Sequence, residues 1–312
     1  MTAAIRIPTR IGDIPQDPRS PVRPFLKWAG GKTQLLGPIG EAFPERIEGT
    51  YREPFLGSGA VFLHLWGTGR IRGKAVLSDA NGPLVETWLV VRDEVDALVE
   101  HLTRHRVAHA RDPERHYYEV RAEEPTAPVA RAARMLYLNR TCYNGLWRVN
   151  RAGRFNVPMG RYKDPPILDE GNLRAVSRAL RDAEILHASF RVALRGAGRG
   201  SVAYLDPPYE PLSKTSNFTS YTAEKFGRED QEALAAECAR LRTRGASFLL
   251  SNHDTPWLRE LYKGHGFSVR SVPARRAINS DPGKRGAVRE LLVTGGPGSP
   301  VTGPPPGSAR RA

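Results

Sequence analysis

The sequence predicts an α/β fold, one sheet with helices on both faces, and three observations carry that reading. Short β-like runs alternate with helical stretches along most of the chain. Hydrophobic residues make up 40% of the 312 positions, enough for a sizeable core. The alternation is broken once, by an acidic block followed by a basic one, which marks an insert.

Taken in order, residues 51–55 read as the first strand and 58–66 as a helix after a glycine-rich link. Residues 74–78, 184–189 and 201–205 supply further strands, each a short apolar run bounded by turn formers. A helix follows at 228–244, where Gln231, Leu234, Cys238 and Leu241 recur every three or four positions. Residues 246–251 read as a strand, 255–262 as a helix and 267–272 as another strand. The ends have no periodicity: 1–20 mixes Pro, Arg, Asp and Thr, and 295–312 is a Gly/Pro/Ser tail ending in basic residues, so both are expected to be disordered. No internal repeat is found.

The insert has its own composition. Residues 82–130 carry 6 Lys/Arg against 10 Asp/Glu and look helical, whereas 131–163 carry 8 Lys/Arg and no acid. Tyr137, Tyr143, Trp147, Phe155 and Tyr162 are interleaved with those cations, and residues 150–153 (NRAG) suggest a turn closing a hairpin between 147–149 and 154–157. The whole chain has 47 Lys/Arg against 33 Asp/Glu, a net charge of +14 and a pI of about 10.2. Such a surplus points to a polyanion such as nucleic acid, and less often to an anionic membrane surface. No apolar run approaches the roughly 18–20 residues of a membrane span, and the Pro/Arg-rich start does not read as a signal peptide. Cys142 and Cys238 are too few for a disulfide framework or a cysteine-based zinc site. A cytoplasmic, monomeric protein without a metal is expected.

Four residues, Asp206-Pro207-Pro208-Tyr209, follow the apolar run 202–205, where ligands bind in an open α/β sheet. An Asp carboxylate beside a carbonyl aimed by proline makes a double acceptor. That pair suits an –NH2 group whose lone pair must be drawn out of conjugation, and Tyr209 offers a ring face to a planar base. A proline-rich turn without function is the competing reading of this tetrapeptide taken alone. Residues 53–59 (EPFLGSG) link a strand to a helix, with close glycines that let a cofactor approach backbone N–H groups. The spacing departs from G-x-G-x-x-G and the loop has no cation, which disfavours a pyrophosphate. Asp79 ends the next strand, 20 residues after Gly59, where an acid can take both hydroxyls of a ribose.

Residues 29–33 (AGGKT) imitate a phosphate-binding loop, but Leu26 stands where its first glycine belongs. The eight histidines form no metal or triad spacing, and His253 in SNHD reads as a loop residue. Arg275, Arg276, Lys284, Arg285 and Arg289 form a second basic stretch, read equally as a solvated loop or as phosphate contacts.

Taken together, FLKWAGGK at 25–32, EPFLGSGAVF at 53–62, Asp79, LNRTCYNGLWRVNRAGRFNVPMGRYK at 138–163, DPPY at 206–209, NFTSY at 217–221 and SNHDT at 251–255 resemble the Dam-type DNA adenine-N6 methyltransferases, in the order of the alpha group. The resemblance runs from about residue 24 to 293. It implies a Rossmann-like, seven-stranded S-adenosyl-L-methionine-dependent domain over 21–81 plus 170–294, and a helical target-recognition domain with a β-hairpin over 82–169. It implies cofactor contacts from Trp28, Lys32, Phe55, Gly57, Gly59, Asp79 and Asp206, and catalysis by Asp206, Pro207, Pro208 and Tyr209. The substrate would be double-stranded DNA, with an adenine flipped out of the stack. The resemblance implies that Leu146, Arg148 and Pro158 read the base pairs of GATC, that Lys27 contacts its first guanine, and that Tyr143 wedges into the stack beside Asn144. Tyr162 would be a further recognition residue, and Arg121, Arg140, Asn150, Asn156, Arg161 and Lys163 would contact phosphates. An RNA adenine or protein-amide methyltransferase, or a catalytically dead DNA-binding relative, are the rivals. Protein-amide enzymes typically carry Asn in place of this Asp, and the intact Asp206, Asp79 and glycine loop speak against a dead core.

Overall fold

The structure, a computed structural model, describes residues 22–28, 30–150, 152–209, 226–275 and 287–297. The leader 1–20, most of the tail, NFTSY at 217–221, and Arg276, Lys284 and Arg285 of the second basic stretch lie outside the described residues.

Seven strands run in chain order as β1 (Tyr51–Glu53), β2 (Ala75–Asp79), β3 (Glu184–His187), β4 (Val202–Leu205), β5 (Ser247–His253), β6 (Ser268–Arg275) and β7 (Ala287–Gly295). They form one sheet in the order β3-β2-β1-β4-β5-β7-β6. The first five are parallel, and β7 is antiparallel to both β5 and β6. The order reverses between β1 and β4, so their carboxyl ends flank a topological switch point, where open α/β sheets bind ligands.

The six strands read from the residues are all present, with shifted bounds. β1 stops at Glu53, two residues short of expectation, because Pro54 has no N–H to give the ladder. β3 ends at His187, since Ser189 already precedes a short helix. β7 runs through Gly295, where the sequence reading began the tail. A Cβ there would lie 2.6 Å from the Phe248 ring, so glycine lets that ring pack against the strand.

The helices among the described residues are α1 (Leu36–Ala42), α2 (Ala60–Gly67), α3 (Gly82–Asp93), α4 (Val95–Arg111), α5 (Pro113–Ala122), α6 (Pro128–Thr141), α7 (Glu170–Leu180), α8 (Phe190–Ala193), α9 (Arg228–Thr243) and α10 (Pro256–Gly264). Two apolar clusters cover the two faces of the sheet, and β4 shows why: Tyr204 joins one, while Ala203 and Leu205 join the other. The first cluster continues without a break from Leu77 and Phe62 through Trp88 into Leu98, Leu102, Tyr117 and Leu136 of the inserted helices. α3 starts on a sequence-encoded cap: Asn81 Oδ1 accepts the Leu84 N–H at 3.0 Å, with Pro83 in the first turn.

Residues 142–169 wrap over this helical layer. The expected hairpin is present: Val149 bridges Phe155 antiparallel, the Asn156 N–H donates to the Arg148 carbonyl at 3.1 Å, and a second bridge joins Cys142 to Met159. Its turn forms as the sequence implied: the Asn150 N–H donates to the Arg154 carbonyl at 2.8 Å, and Gly153 takes φ +76°. Asn150 Oδ1 also accepts the N–H groups of Ala152 and Arg154, which fixes the turn. Tyr117, buried in α5, anchors the loop by donating its hydroxyl to the Val157 carbonyl at 3.0 Å.

Candidate active site

Asp206 follows β4 directly, at the carboxyl end of the sheet. Its Oδ2 accepts from Lys32 Nζ at 2.8 Å and its Oδ1 from Ser251 Oγ at 3.1 Å. The Asp206 side chain is 17% exposed and that of Lys32 only 4%. Burial pushes the Asp206 carboxyl upward, and the neighbouring Lys32 ammonium opposes that rise. Lys32 also donates to the Gly30 carbonyl at 2.7 Å and lies 4.8 Å from the centre of the Tyr209 ring. The resemblance made Lys32 a cofactor residue; the structure places its ammonium on the carboxylate of the DPPY motif.

The rest of that motif is fixed from behind. The Tyr209 hydroxyl donates to Glu290 Oε2 at 3.0 Å, and its ring lies 4.3 Å from that of His253. Burial holds the phenol pKa well above its usual value, so Tyr209 stays protonated. The Pro208 carbonyl accepts from Gln231 Nε2 at 3.1 Å, Gln231 Oε1 accepts from Asn252 Nδ2 at 3.1 Å, and Asn252 Oδ1 accepts the His253 N–H at 2.8 Å. α9 and β5 thus lock the backbone that follows Asp206. His253, expected in a loop, is the last residue of β5.

Beside Asp206, the loop after β1 is shaped by its glycines. Gly57 (φ +48°) and Gly59 (φ +64°) both take the left-handed region that favours glycine. A Cβ on Gly59 would meet the Trp88 ring at 2.6 Å, and one on Gly57 would meet Trp28 at 3.1 Å. Trp88 Nε1 donates to the Gly57 carbonyl at 3.1 Å. Asp79 closes the loop: its Oδ2 accepts the Gly57 N–H at 3.0 Å and its Oδ1 the Asn81 N–H at 2.9 Å. Burial raises the Asp79 carboxyl, while these amides pull it down. Phe55 packs between Phe190 and Phe226, at ring distances of 5.8 and 5.7 Å. The cradle offers backbone, aromatic surface and a carboxylate with lone pairs left for a diol, and residues 53–59 contain no cation for a pyrophosphate. Beneath it, Glu53 is buried, accepts the Tyr51 hydroxyl at 2.6 Å and has its pKa pushed up to about 8 by burial.

The expected DNA-contacting residues come from the N-terminal segment (Lys27), α5 (Arg121), α6 (Arg140) and residues 143–163. Tyr143 is 45% exposed, and Asn144 beside it takes φ +55°. Arg148, Asn150, Pro158, Arg161 and Lys163 are exposed, and Leu146 is half-buried. Arg148 is folded back, donating from Nε to Asn156 Oδ1 at 2.8 Å. Lys27 Nζ sits 4.7 Å from the centre of the Tyr162 ring. Arg121 lies against the Tyr118 ring at 4.7 Å. Arg140 is turned inward, donating to the Phe25 carbonyl at 2.7 Å, and burial lowers its pKa. In the second basic stretch, Arg289 Nε donates to Ser271 Oγ at 2.6 Å.

Sequence reasoning missed several polar residues that build this site. Asn139 is wholly buried and bonds to Lys27 and Gly145, and Gln231 and Asn252 support Pro208. The one visible signal was Gln231, a polar side chain on an otherwise apolar helical face. Among the described residues no group of three or more His, Cys, Asp or Glu gathers as metal ligands, and no helix is long and apolar enough to cross a membrane.

Comparison with known proteins agrees with this geometry. The sequence model of the D12 class of N6 adenine-specific DNA methyltransferases matches residues 28–278. A type II methyltransferase of Methanocaldococcus jannaschii, M.MjaIII, is 43% identical over 287 residues, which cover 87% of this chain and 98% of that protein. The DNA adenine methylase of Escherichia coli K12 is 39% identical over 278 residues, 88% of this chain and 96% of the relative. That of Haemophilus influenzae is 37% identical over 279 residues, 88% and 94% respectively.

Proposed function

The chain belongs to the D12 class of N6 adenine-specific DNA methyltransferases, and from that premise we propose that it methylates N6 of an adenine flipped out of duplex GATC, with S-adenosyl-L-methionine as donor. The observation that carries the reading is Asp206, a buried carboxylate at the switch point, held between Lys32 and Ser251 beside the glycine cradle and Asp79.

When bound, S-adenosyl-L-methionine supplies an electrophilic sulfonium methyl group; Trp28, Phe55, Gly57, Gly59 and Asp79 would hold it, with Lys32 and Asp206 at its reactive side. The chain's own residues do the rest. Asp206 and the Pro207 carbonyl accept the two N–H bonds of the target amine and hold its lone pair out of conjugation with the ring. Tyr209 supports the face of the flipped base. Positioning and electrostatics supply the acceleration, and no strong base is needed first, because the methylated ammonium is acidic and loses its proton afterwards.

Residues 82–169 act as the target-recognition unit and 21–81 with 170–294 as the catalytic one. Arg148, Leu146 and Pro158 read base edges with Lys27 and Tyr162, and Tyr143 with Asn144 fills the stack. Arg121, Asn150, Asn156, Arg161 and Lys163 contact phosphates, and Arg140 would have to leave the Phe25 carbonyl to join them. The exposure of Tyr143 and Arg148 and the packing of Lys27 against the Tyr162 ring support this assignment. Relatives named type II methyltransferases favour a restriction–modification setting.

The test is base-resolution mapping of N6-methyladenine on a mixed-sequence plasmid incubated with the protein and S-adenosyl-L-methionine. Methylation confined to GATC is expected. Methylation at another sequence would overturn the specificity, and none at all would overturn the activity.

A further inference from the structure

We infer that Asn139 is a positioning residue that ties the recognition turn to the catalytic carboxylate, an inference that rests on the functional reading above. The segment leading into the site belongs to no strand, yet two asparagines give it ladder-like partners. Asn172 bonds both backbone groups of Arg23, at 3.0 and 2.9 Å. Asn139 bonds both backbone groups of Lys27: its Oδ1 accepts the Lys27 N–H at 2.8 Å and its Nδ2 donates to the Lys27 carbonyl at 2.7 Å. A side-chain amide has the planar donor and acceptor pattern of a peptide group, so it can serve as one rung of a sheet.

Asn139 goes one step further than Asn172. Its Nδ2 also donates to the Gly145 carbonyl at 3.0 Å, which uses its second hydrogen and ties in the turn that exposes Tyr143. The joint is tight. Gly145 takes φ +65°, and a Cβ there would lie 2.5 Å from Lys27 Cδ. From Lys27 only four residues lead to Lys32, and within them Trp28 packs on Gly57 while its carbonyl accepts the Gly31 N–H at 3.2 Å. Lys32 then grips Asp206 at 2.8 Å.

One buried amide therefore joins the turn that meets the base stack, the lysine assigned to a guanine, and the short tether that orients the reactive carboxylate. Seating Tyr143 and Lys27 on the correct sequence sets Lys32 and Asp206. Incorrect docking leaves them displaced, so sequence discrimination enters the rate of methyl transfer as well as binding. Misplacement of reacting groups by about 1 Å can cost on the order of 10²-fold in rate.

The experiment compares the full-length wild type with Asn139→Ala in single-turnover methyl transfer to plasmid DNA at saturating S-adenosyl-L-methionine. Rates are read at the mapped target and at sites one base pair away from it. The target rate should fall on the order of 10²-fold, and the near-target rates far less, so that their ratio shrinks by about tenfold or more. The rate ratio does not depend on how much of the variant is folded, so partial unfolding cannot imitate the effect. A uniform loss at all sites, or an unchanged ratio, would overturn the inference while the wild type still methylates adenine. Should Asn139→Ala not fold, Gly145→Ala presses the same joint from the other side and carries the same expectation. A wild type that transfers nothing to DNA adenine would remove the functional reading and this inference with it.

Discussion

Lys32 Nζ lies 2.8 Å from Asp206 Oδ2, and the ammonium is more deeply buried than the carboxylate it serves. An ion pair in this position sets the charge state of the carboxylate proposed to accept a hydrogen bond from the target amine. Burial raises the Asp206 pKa and Lys32 holds that rise in check. Removing the cation by Lys32→Met should therefore protonate Asp206 at higher pH. The acid limb of the pH–rate profile, measured at saturating cofactor, should move up by on the order of one pH unit. An unshifted limb would show that Lys32 does not control Asp206. Asp206→Ala should abolish turnover while DNA binding by gel shift survives.

Arg148 donates from Nε to Asn156 Oδ1, and its Nη2 lies 3.3 Å from the Asn156 carbonyl. The guanidinium fork is thus held flat along the loop before any DNA arrives. Arg148→Ala should relax discrimination at one base pair by roughly 1–3 kcal/mol, while affinity for unrelated sequence changes little. Equal losses on cognate and non-cognate duplexes would make Arg148 a phosphate contact.

The DPPY and glycine-loop motifs were legible because their patterns are local: one follows an apolar run, and the other bridges a strand and a helix. Six strands were legible for the same reason, as short apolar runs between turn formers. What hid from the sequence was long-range. Asn139 meets Lys27 across 112 positions and Lys32 meets Asp206 across 174, and no spacing rule reports either contact. β7 escaped because it follows a basic stretch whose charge dominated the reading. The hairpin turn was legible for the same local reason as those motifs, with Asn150 and Gly153 carrying its chemistry.

Glu53 offers a test of burial through pH. Its pKa stands at about 8 in the fold, above the 4.5 expected of an exposed glutamate. The folded chain therefore binds more protons than the unfolded one between those values, and stability must fall as pH rises through that window. Glu53→Gln, which keeps the shape and removes the titration, should flatten this dependence. Its melting temperature should exceed that of the wild type near pH 8 by about 2–4 °C per kcal/mol recovered, with the gap closing towards pH 5. A gap independent of pH would mean that Glu53 does not titrate in the fold.

Gly59 is the position where the cradle tolerates least. It takes φ +64°, and a Cβ would stand 2.6 Å from Trp88 Cη2 and 2.8 Å from Cζ2, with Trp88 itself wholly buried and bonded to the Gly57 carbonyl. Gly59→Ala must displace that indole or the loop. Overpacking of this kind costs typically 1–3 kcal/mol, and the left-handed backbone adds roughly 1–2 kcal/mol. Urea titration should show a midpoint drop of matching size with an unchanged slope, and S-adenosyl-L-methionine affinity should fall because the loop that would seat it has moved. Gly67→Ala is the control, since a Cβ at that end of α2 meets nothing within 4 Å and the backbone there is not left-handed. Equal behaviour of the two variants would show that the Gly59–Trp88 contact does not set the shape of the cradle.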